Sequence, residues 1–168
     1  MTDQIILRPT TGADMVGIDA LLAASYPVLL KPDYPPSVLV TALPLISRAN
    51  PGLLRSGTFY VVEDSGGRAL AAGGWTHTGP QGGIGPRDLG HIRHVVTHPC
   101  ATRRGLARAL LTHAFDCARA AGITRLSCQS TRTAVPFYAA MGFEVQGDIE
   151  IALRPGITFP AVQMMRNL

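Results

Sequence analysis

Arg103, Arg104 and Arg108 surround Gly105 immediately after a β-branched run, Val95-Val96-Thr97, and at the start of an amphipathic stretch. Residues of these types in this order suit one kind of chemistry, the holding of an anion. The first turn of a helix has backbone N–H groups without intrahelical partners, and the aligned peptide dipoles add partial positive charge there. A phosphate or diphosphate can be held by those groups with little help from side chains. Gly105 lets a ligand approach the backbone closely, Ala107 keeps the same face small, and the arginines add positive potential. The turn as a whole is Thr102-Arg103-Arg104-Gly105-Leu106-Ala107. The same spacing also suits a plain core helix with a basic start, and the turn alone does not separate the two readings.

The remaining candidates are titratable. His77, His91 and His94 fall in or beside strand-like segments, and an imidazole with its ordinary pKa near ~6.5 suits a base. Strand alternation puts His91 and Arg93 on one face and His94 on the other, so the two histidines should not share a site. The cysteines, Cys100, Cys117 and Cys128, are odd in number and lack a CxxC or Cys/His metal spacing. Cys117 and Cys128 read as core residues, Cys100 as a loop residue, and no metal site is expected.

The elements that must position these residues follow from periodicity. Gln4 to Pro9 reads as a first strand, and a helix entered through Thr10 to Asp14 runs to about Ala24 on Met15, Ile18, Leu21 and Leu22. Tyr26 to Pro36, with its spaced prolines, reads as a loop. A second helix from Ser37 puts Val40, Leu43 and Ile46 inward, with Pro44 kinking or shortening it. Thr58 to Glu63 and Ala69 to Thr78 read as a hairpin turning at Asp64-Ser65-Gly66-Gly67, with a bulge or close approach at Gly73-Gly74. Gly79 to Gly90 reads as an exposed loop and His91 to Thr97 as the strand before the basic turn. The helix after Gly105 carries Leu106, Leu110, Ala114, Cys117 and Ala121 on one face and ends at Gly122. Strands follow at Thr124 to Gln129, from Phe143 to Val145 with Gly147 to Ile151 continuing or bending it, and at Ala161 to Met165. A short helix from about Thr133 holds Val135, Phe137, Tyr138 and Met141. The pattern is one domain over residues 1–168, in the α/β class bordering α+β.

Composition narrows the function classes. With 168 residues, 46% hydrophobic and 15% charged, the chain is globular and large enough for one core. Its formal net charge of +4 comes from arginine, Lys31 being the single lysine. That charge suits an anionic ligand, and the absence of a dense basic run argues against nucleic acid. No signal-peptide pattern and no apolar run of membrane-spanning length is evident, so a cytoplasmic protein without a membrane partner is expected.

Two blocks, VVTHPCATRRGLARALL and AVPFYAAMGFE, together resemble the GNAT N-acetyltransferase superfamily over roughly Gly57 to Phe143. The resemblance implies a mixed, mostly antiparallel sheet of six or seven strands, split centrally and flanked by about four helices. It implies acetyl-CoA as cosubstrate, with the pyrophosphate on a Gln/Arg-x-x-Gly-x-Gly/Ala turn. Here that turn is Thr102 to Ala107, with Thr102 departing from Gln or Arg. It further implies Val95, Val96 and Thr97 along the pantetheine arm, the basic turn through Arg108 under the pyrophosphate, and Tyr138 as general acid to the CoA thiolate. Thr131 stands where the family often has Asn, and His91 on the strand where it often has a carboxylate base; His94, His77 or water are alternatives. The acceptor would be a small-molecule or peptide amine walled by Tyr26 to Asn50 and Gly79 to Gly90. Each of those segments carries one acid, Asp33 and Asp88, which argues against a polycation. A homodimer through the last strands is a family habit. Phe137 reads as core packing. No Gly-Lys-Ser/Thr follows the turn and no early GxGxxG occurs, so a nucleoside triphosphatase and a dinucleotide domain are disfavoured. The rival from another class is a non-catalytic CoA-binding module acting through a protein partner.

Overall fold

The computed structural model describes residues 4–168. Among these residues seven strands form one sheet: β1 Ile6–Pro9, β2 Phe59–Glu63, β3 Ala69–Thr76, β4 Leu89–Thr97, β5 Arg125–Ser130, β6 Glu144–Arg154 and β7 Ile157–Asn167, in the order β1-β2-β3-β4-β5-β7-β6. Five helices among the described residues flank it: α1 Met15–Leu29, α2 Pro36–Ile46, α3 Pro51–Leu54, α4 Leu106–Ala120 and α5 Val135–Ala140. All pairings are antiparallel except that of β4 with β5.

Alternation along β2 assigns the two layers. Tyr60 and Val62 pack with Leu106, Leu110, Leu111, Ala114, Phe115 and Ala118 of α4 on one face. Phe59 and Val61 pack with Ile18, Leu21 and Leu22 of α1 and Leu53 and Leu54 of α3 on the other. Burying a large apolar side chain is worth about 1.5–3 kcal/mol, so α4 is held mainly by this face. Its end is a Schellman cap: Gly122 sits at φ 85° and the Ile123 amide donates to the Ala118 carbonyl at 3.0 Å.

Three segments depart from the sequence reading. First, α1 continues through Pro27 to Leu29 instead of ending near Ala24. Pro27 removes one backbone donor without ending the helix, and Ser25 Oγ donates to the Leu21 carbonyl at 2.7 Å within the same segment. With the 3-10 turn before it, Gly12–Leu29 reaches the length and apolarity of a membrane span, which the residue pattern was not read to contain. Its Ile18, Leu21 and Leu22 are packed against the sheet. Second, α2 buries Leu39 and Ala42, and Val40 points outward at 71% exposure. Third, β6 and β7 are eleven residues each and meet at Pro155-Gly156, so β6 runs past Ile151 to Arg154 and β7 begins at Ile157, ahead of the expected Ala161. Pro160 at this outer part of the hairpin obscured the strand pattern. The four-residue α3 was not foreseen, although Asn50 before Pro51 is a start signal: its side chain accepts from the Leu53 amide at 3.2 Å.

The split is the feature that positions the site. β4 pairs with β5 only at Leu89↔Arg125, Gly90↔Leu126 and His91↔Ser127. Beyond His91 the two strands part, leaving the β5-facing edge of β4 from Ile92 to Thr97 without a strand partner among the described residues. On its other side β4 has one residue too many: Ala72 pairs with Val96 but Gly74 with Arg93, so two β4 residues, His94 and Val95, oppose Gly73. Bulges of this kind bend a strand and re-aim its side chains. Gly73 has to be glycine, because a Cβ there would lie 2.8 Å from Val95 Cγ2 and 2.9 Å from Leu110 Cδ2.

Candidate active site

After β4 the chain makes a 3-10 turn over Pro99–Ala101, and His98 Nδ1 accepts from the Cys100 amide at 3.2 Å to start it. Arg103 then takes φ 62° and Gly105 φ 74°. Two left-handed residues two positions apart turn the amides of Arg103 to Arg108 outward. Among the described residues none of these amides donates to another protein group. The first intrahelical bond in this turn is Ala109 N–H to the Gly105 carbonyl at 3.0 Å. Thr102, Arg103, Arg104, Gly105 and Arg108 are exposed, Ala107 is half-buried, and Leu106 anchors the turn in the core. A Cβ at Gly105 would point into open space, so the surface above these amides is clear. Unpaired donors at the positive end of a fifteen-residue helix fit a diphosphate.

The splayed ends of β4 and β5 open a cavity of about 530 Å³. Its inner wall is Ile92 to Val95 of β4, Cys128 to Thr131 of β5, and Ala134 and Tyr138 of α5. Its outer wall is Tyr26, Leu45, Ile46 and Asn50 from the first helices, Pro80 and Gln81, and Ile151, Leu153 and Phe159 of the last hairpin. The two segments expected to wall an acceptor therefore both contribute. The β6–β7 hairpin was not expected as a wall: Ile151 ends the strand read from Phe143, while Leu153 and Phe159 lie in the parts of β6 and β7 beyond the strands the pattern revealed.

Tyr138 is 4% exposed, with its ring edge-on to Phe137 and Phe143. Burial pushes its phenol well above the ordinary value, with Cys128 and Tyr26 adding to the shift. It therefore stays protonated and can donate. The Cys128 thiol is pushed up to about 12, again by burial, and stays protonated too. Thr131 Oγ1 accepts from the Ala134 amide at 3.2 Å, shaping the turn into α5. Tyr34 fixes that turn from outside: its hydroxyl accepts from the Arg132 amide at 2.8 Å and donates to the Pro160 carbonyl at 2.7 Å.

The histidines separate by position. His94 lines the cavity, at φ 44° in the bulge, and burial with the neighbouring Arg93 lowers its pKa to about 4. Non-glycine residues rarely hold this backbone, and such strain concentrates at functional sites. His91 pairs with Thr76 and Ser127 at the closed end of the split, under Gly79, and does not line the cavity. His77 is exposed against Trp75. The geometry thus brings Tyr138, His94, Val95 and Thr131 together and leaves out His91, the histidine favoured from sequence. Alternation could not rank them, because the bulge breaks the two-residue period at His94. Among the described residues no three His, Cys, Asp or Glu side chains converge as a metal site would require.

Comparison with known proteins agrees with this geometry. The acetyltransferase (GNAT) domain family matches residues 55–145, more than half of the chain. A glucosamine 6-phosphate N-acetyltransferase of Trypanosoma brucei brucei is 34% identical over 59 residues. That match covers 35% of this chain and 40% of the relative. Among solved structures, a GCN5-related N-acetyltransferase from Rhodopseudomonas palustris superposes with a TM-score of 0.78 at 18% identity, covering 100% of this chain and 99% of that one. The PaiA N-acetyltransferase of Thermoplasma acidophilum, in complex with coenzyme A, gives 0.72 at 13% identity over 98% and 99%. The N-acetylglutamate synthase of Neisseria gonorrhoeae, with coenzyme A and N-acetyl-glutamate, gives 0.65 at 20% identity, over 100% of this chain and 36% of that one. At these identities the structural likenesses speak to the fold.

Proposed function

The chain belongs to the acetyltransferase (GNAT) domain family, and on that premise we propose that it moves the acetyl group of acetyl-CoA directly to a primary amine. One observation carries the reading. The strand that leaves β5 at Ile92 is the same strand that runs into the turn of unpartnered amides. A single element therefore offers a free backbone edge for the pantetheine arm and, at its end, donors for the diphosphate.

The residues divide the work accordingly. The Val95-Val96-Thr97 edge holds the thioester, and a backbone amide there meets negative charge developing on its carbonyl oxygen. Tyr138 donates a hydrogen bond to the departing thiolate. A thiol has a pKa of about 8.5, below that of the buried phenol, so Tyr138 stabilises the thiolate before any proton moves. The protonated Cys128 is a poor nucleophile, which favours direct transfer over an acetyl-cysteine. His94, neutral at physiological pH, accepts from an N–H of the incoming amine and orients its lone pair. The ammonium proton leaves to water through the open side of the cavity, and we assign His91 no part in it.

The test is thiol release from acetyl-CoA with a panel of primary amines, with the acetylated product identified by mass. Turnover with an amine supports the transferase. Binding of CoA with no product from any amine favours a CoA-binding module instead, and failure to bind CoA removes both.

A further inference from the structure

We propose that the acceptor is an amine carrying one anionic group on an apolar body, and that Arg93 is the residue that recognises the anion. The inference rests on the acetyl-transfer reading and narrows its substrate class. Arg93 lies on β4 beside His94, opposite Gly74, and lines the cavity from its inner wall. It is half-buried, and burial depresses the pKa of its guanidinium. Among the described residues its guanidinium makes one hydrogen bond, from Nη1 to Thr76 Oγ1 at 3.1 Å. A guanidinium has five N–H donors, so most of this one is unused.

Arg8 shows what a structural arginine looks like in the same sheet. It donates to Asp14 at 2.7 and 3.0 Å and to Glu63 at 3.0 and 3.1 Å. Arg93 forms no ion pair among the described residues. A partly desolvated cation without a counter-ion is costly to the fold and is ordinarily paired. The missing partner is not supplied by the cavity, whose lining contains no Asp or Glu. Its other walls, Tyr26, Leu45, Ile46, Ile151, Leu153 and Phe159, are mainly apolar. A carboxylate or phosphate can take two parallel hydrogen bonds from a guanidinium, which fixes orientation as well as charge. A polycationic acceptor would instead bring further positive charge against Arg93 with no acid to receive it.

The experiment pairs compounds that differ only in the anion. N-acetyl-L-leucine against N-acetyl-L-leucinamide tests a carboxylate, and glucosamine 6-phosphate against glucosamine tests a phosphate. Affinities are measured by calorimetry on the full chain, with and without saturating CoA, for the native protein, Arg93→Gln and Arg93→Lys. At least one anion-bearing compound should bind tenfold or more tightly than its neutral partner. Arg93→Gln should erase that preference, and Arg93→Lys should restore part of it, while CoA affinity stays within twofold. Equal binding of both members of each pair, no detectable binding of either anion, or an equal loss for both members in Arg93→Gln overturns the proposal. Failure of CoA to bind would strike the acetyl-transfer reading alone, since the pairs measured without CoA still decide the role of Arg93.

Discussion

The turn over Arg103 to Arg108 and the cavity under Tyr138 are both reached from β4, and they are made of different material. The turn is local: two left-handed residues, the first amides of α4, and arginine side chains facing solvent. The cavity is assembled at long range, from α1, α2, Pro80 and Gln81 between β3 and β4, β4, β5, α5 and the β6–β7 hairpin. A backbone site of the first kind binds a ligand's fixed chemistry and depends on a few conformations. A side-chain site of the second kind sets which acceptor enters, and each wall contributes a share. Substitutions in the turn should therefore be severe and confined to acetyl-CoA, while those in the cavity should be graded and divide between turnover and acceptor.

The sharpest break of this contrast is Gly105→Val. Holding a β-branched residue at φ 74° costs about 1–3 kcal/mol, and its side chain would fill the open space above the amides. The KM for acetyl-CoA should rise on the order of a hundredfold. Gly105→Asn separates the two causes, because Asn tolerates the left-handed region. It should keep the fold and still raise that KM at least roughly tenfold. An Asn variant with native acetyl-CoA kinetics would mean that the amides do not hold the diphosphate.

The same contrast explains what the sequence disclosed. The basic turn was legible because its determinants are contiguous: β-branched strand, glycine, alternating small and apolar residues, and a glycine cap at Gly122. The split itself was expected from resemblance, and the pairing of β4 with β5 at three positions bears it out. The acceptor walls were legible only as segments. Nothing in the residues near Ile151, Leu153 or Phe159 says that they meet Tyr26 across the cavity, since that proximity is made by the whole sheet. Val40 was placed inward because helical period fixes spacing but not phase, and Leu39 and Ala42 took the buried face instead. Arg93 was visible as a residue, but its want of a carboxylate is a fact of three dimensions.

Tyr138→Phe comes next in size and tests the cavity side. A hydrogen bond to a charged acceptor is worth about 1.5–3 kcal/mol, so kcat should fall roughly thirtyfold. The KM for acetyl-CoA should stay within about twofold, because the turn is untouched. The pH dependence gives a further check. A phenol raised well above its ordinary value remains protonated through neutral and moderately alkaline pH. The native enzyme should therefore show no loss of kcat up to about pH 9.5 that Tyr138→Phe removes. A native alkaline limb in that range, abolished in the variant, would assign Tyr138 an ordinary phenol and a different environment.

The smallest effect belongs to the histidines, and it separates geometry from residue type. His94→Gly relieves a left-handed non-glycine backbone, which should stabilise the fold by about 0.5–1 kcal/mol at pH 7 and raise the melting temperature by a few degrees. It also removes the group proposed to orient the amine, so on that proposal the acceptor KM should rise about threefold. His91→Ala should leave turnover within about twofold, since His91 lies at the closed end of the split. Protonation supplies the sign. The folded His94 has a pKa lowered to about 4, below the value near ~6.5 that it has unfolded. Between those values the unfolded chain binds more protons, so stability falls as pH drops from 6.5 toward 4. Removing the imidazole should flatten that fall, and the melting advantage of His94→Gly should widen between pH 7 and pH 5. His91 is lowered in the same direction by burial, so His91→Ala should flatten the curve too, but without the gain at pH 7. A His94→Gly chain that loses stability at neutral pH would show that the imidazole is a packing element of the bulge. The acceptor would then be positioned by the cavity walls alone.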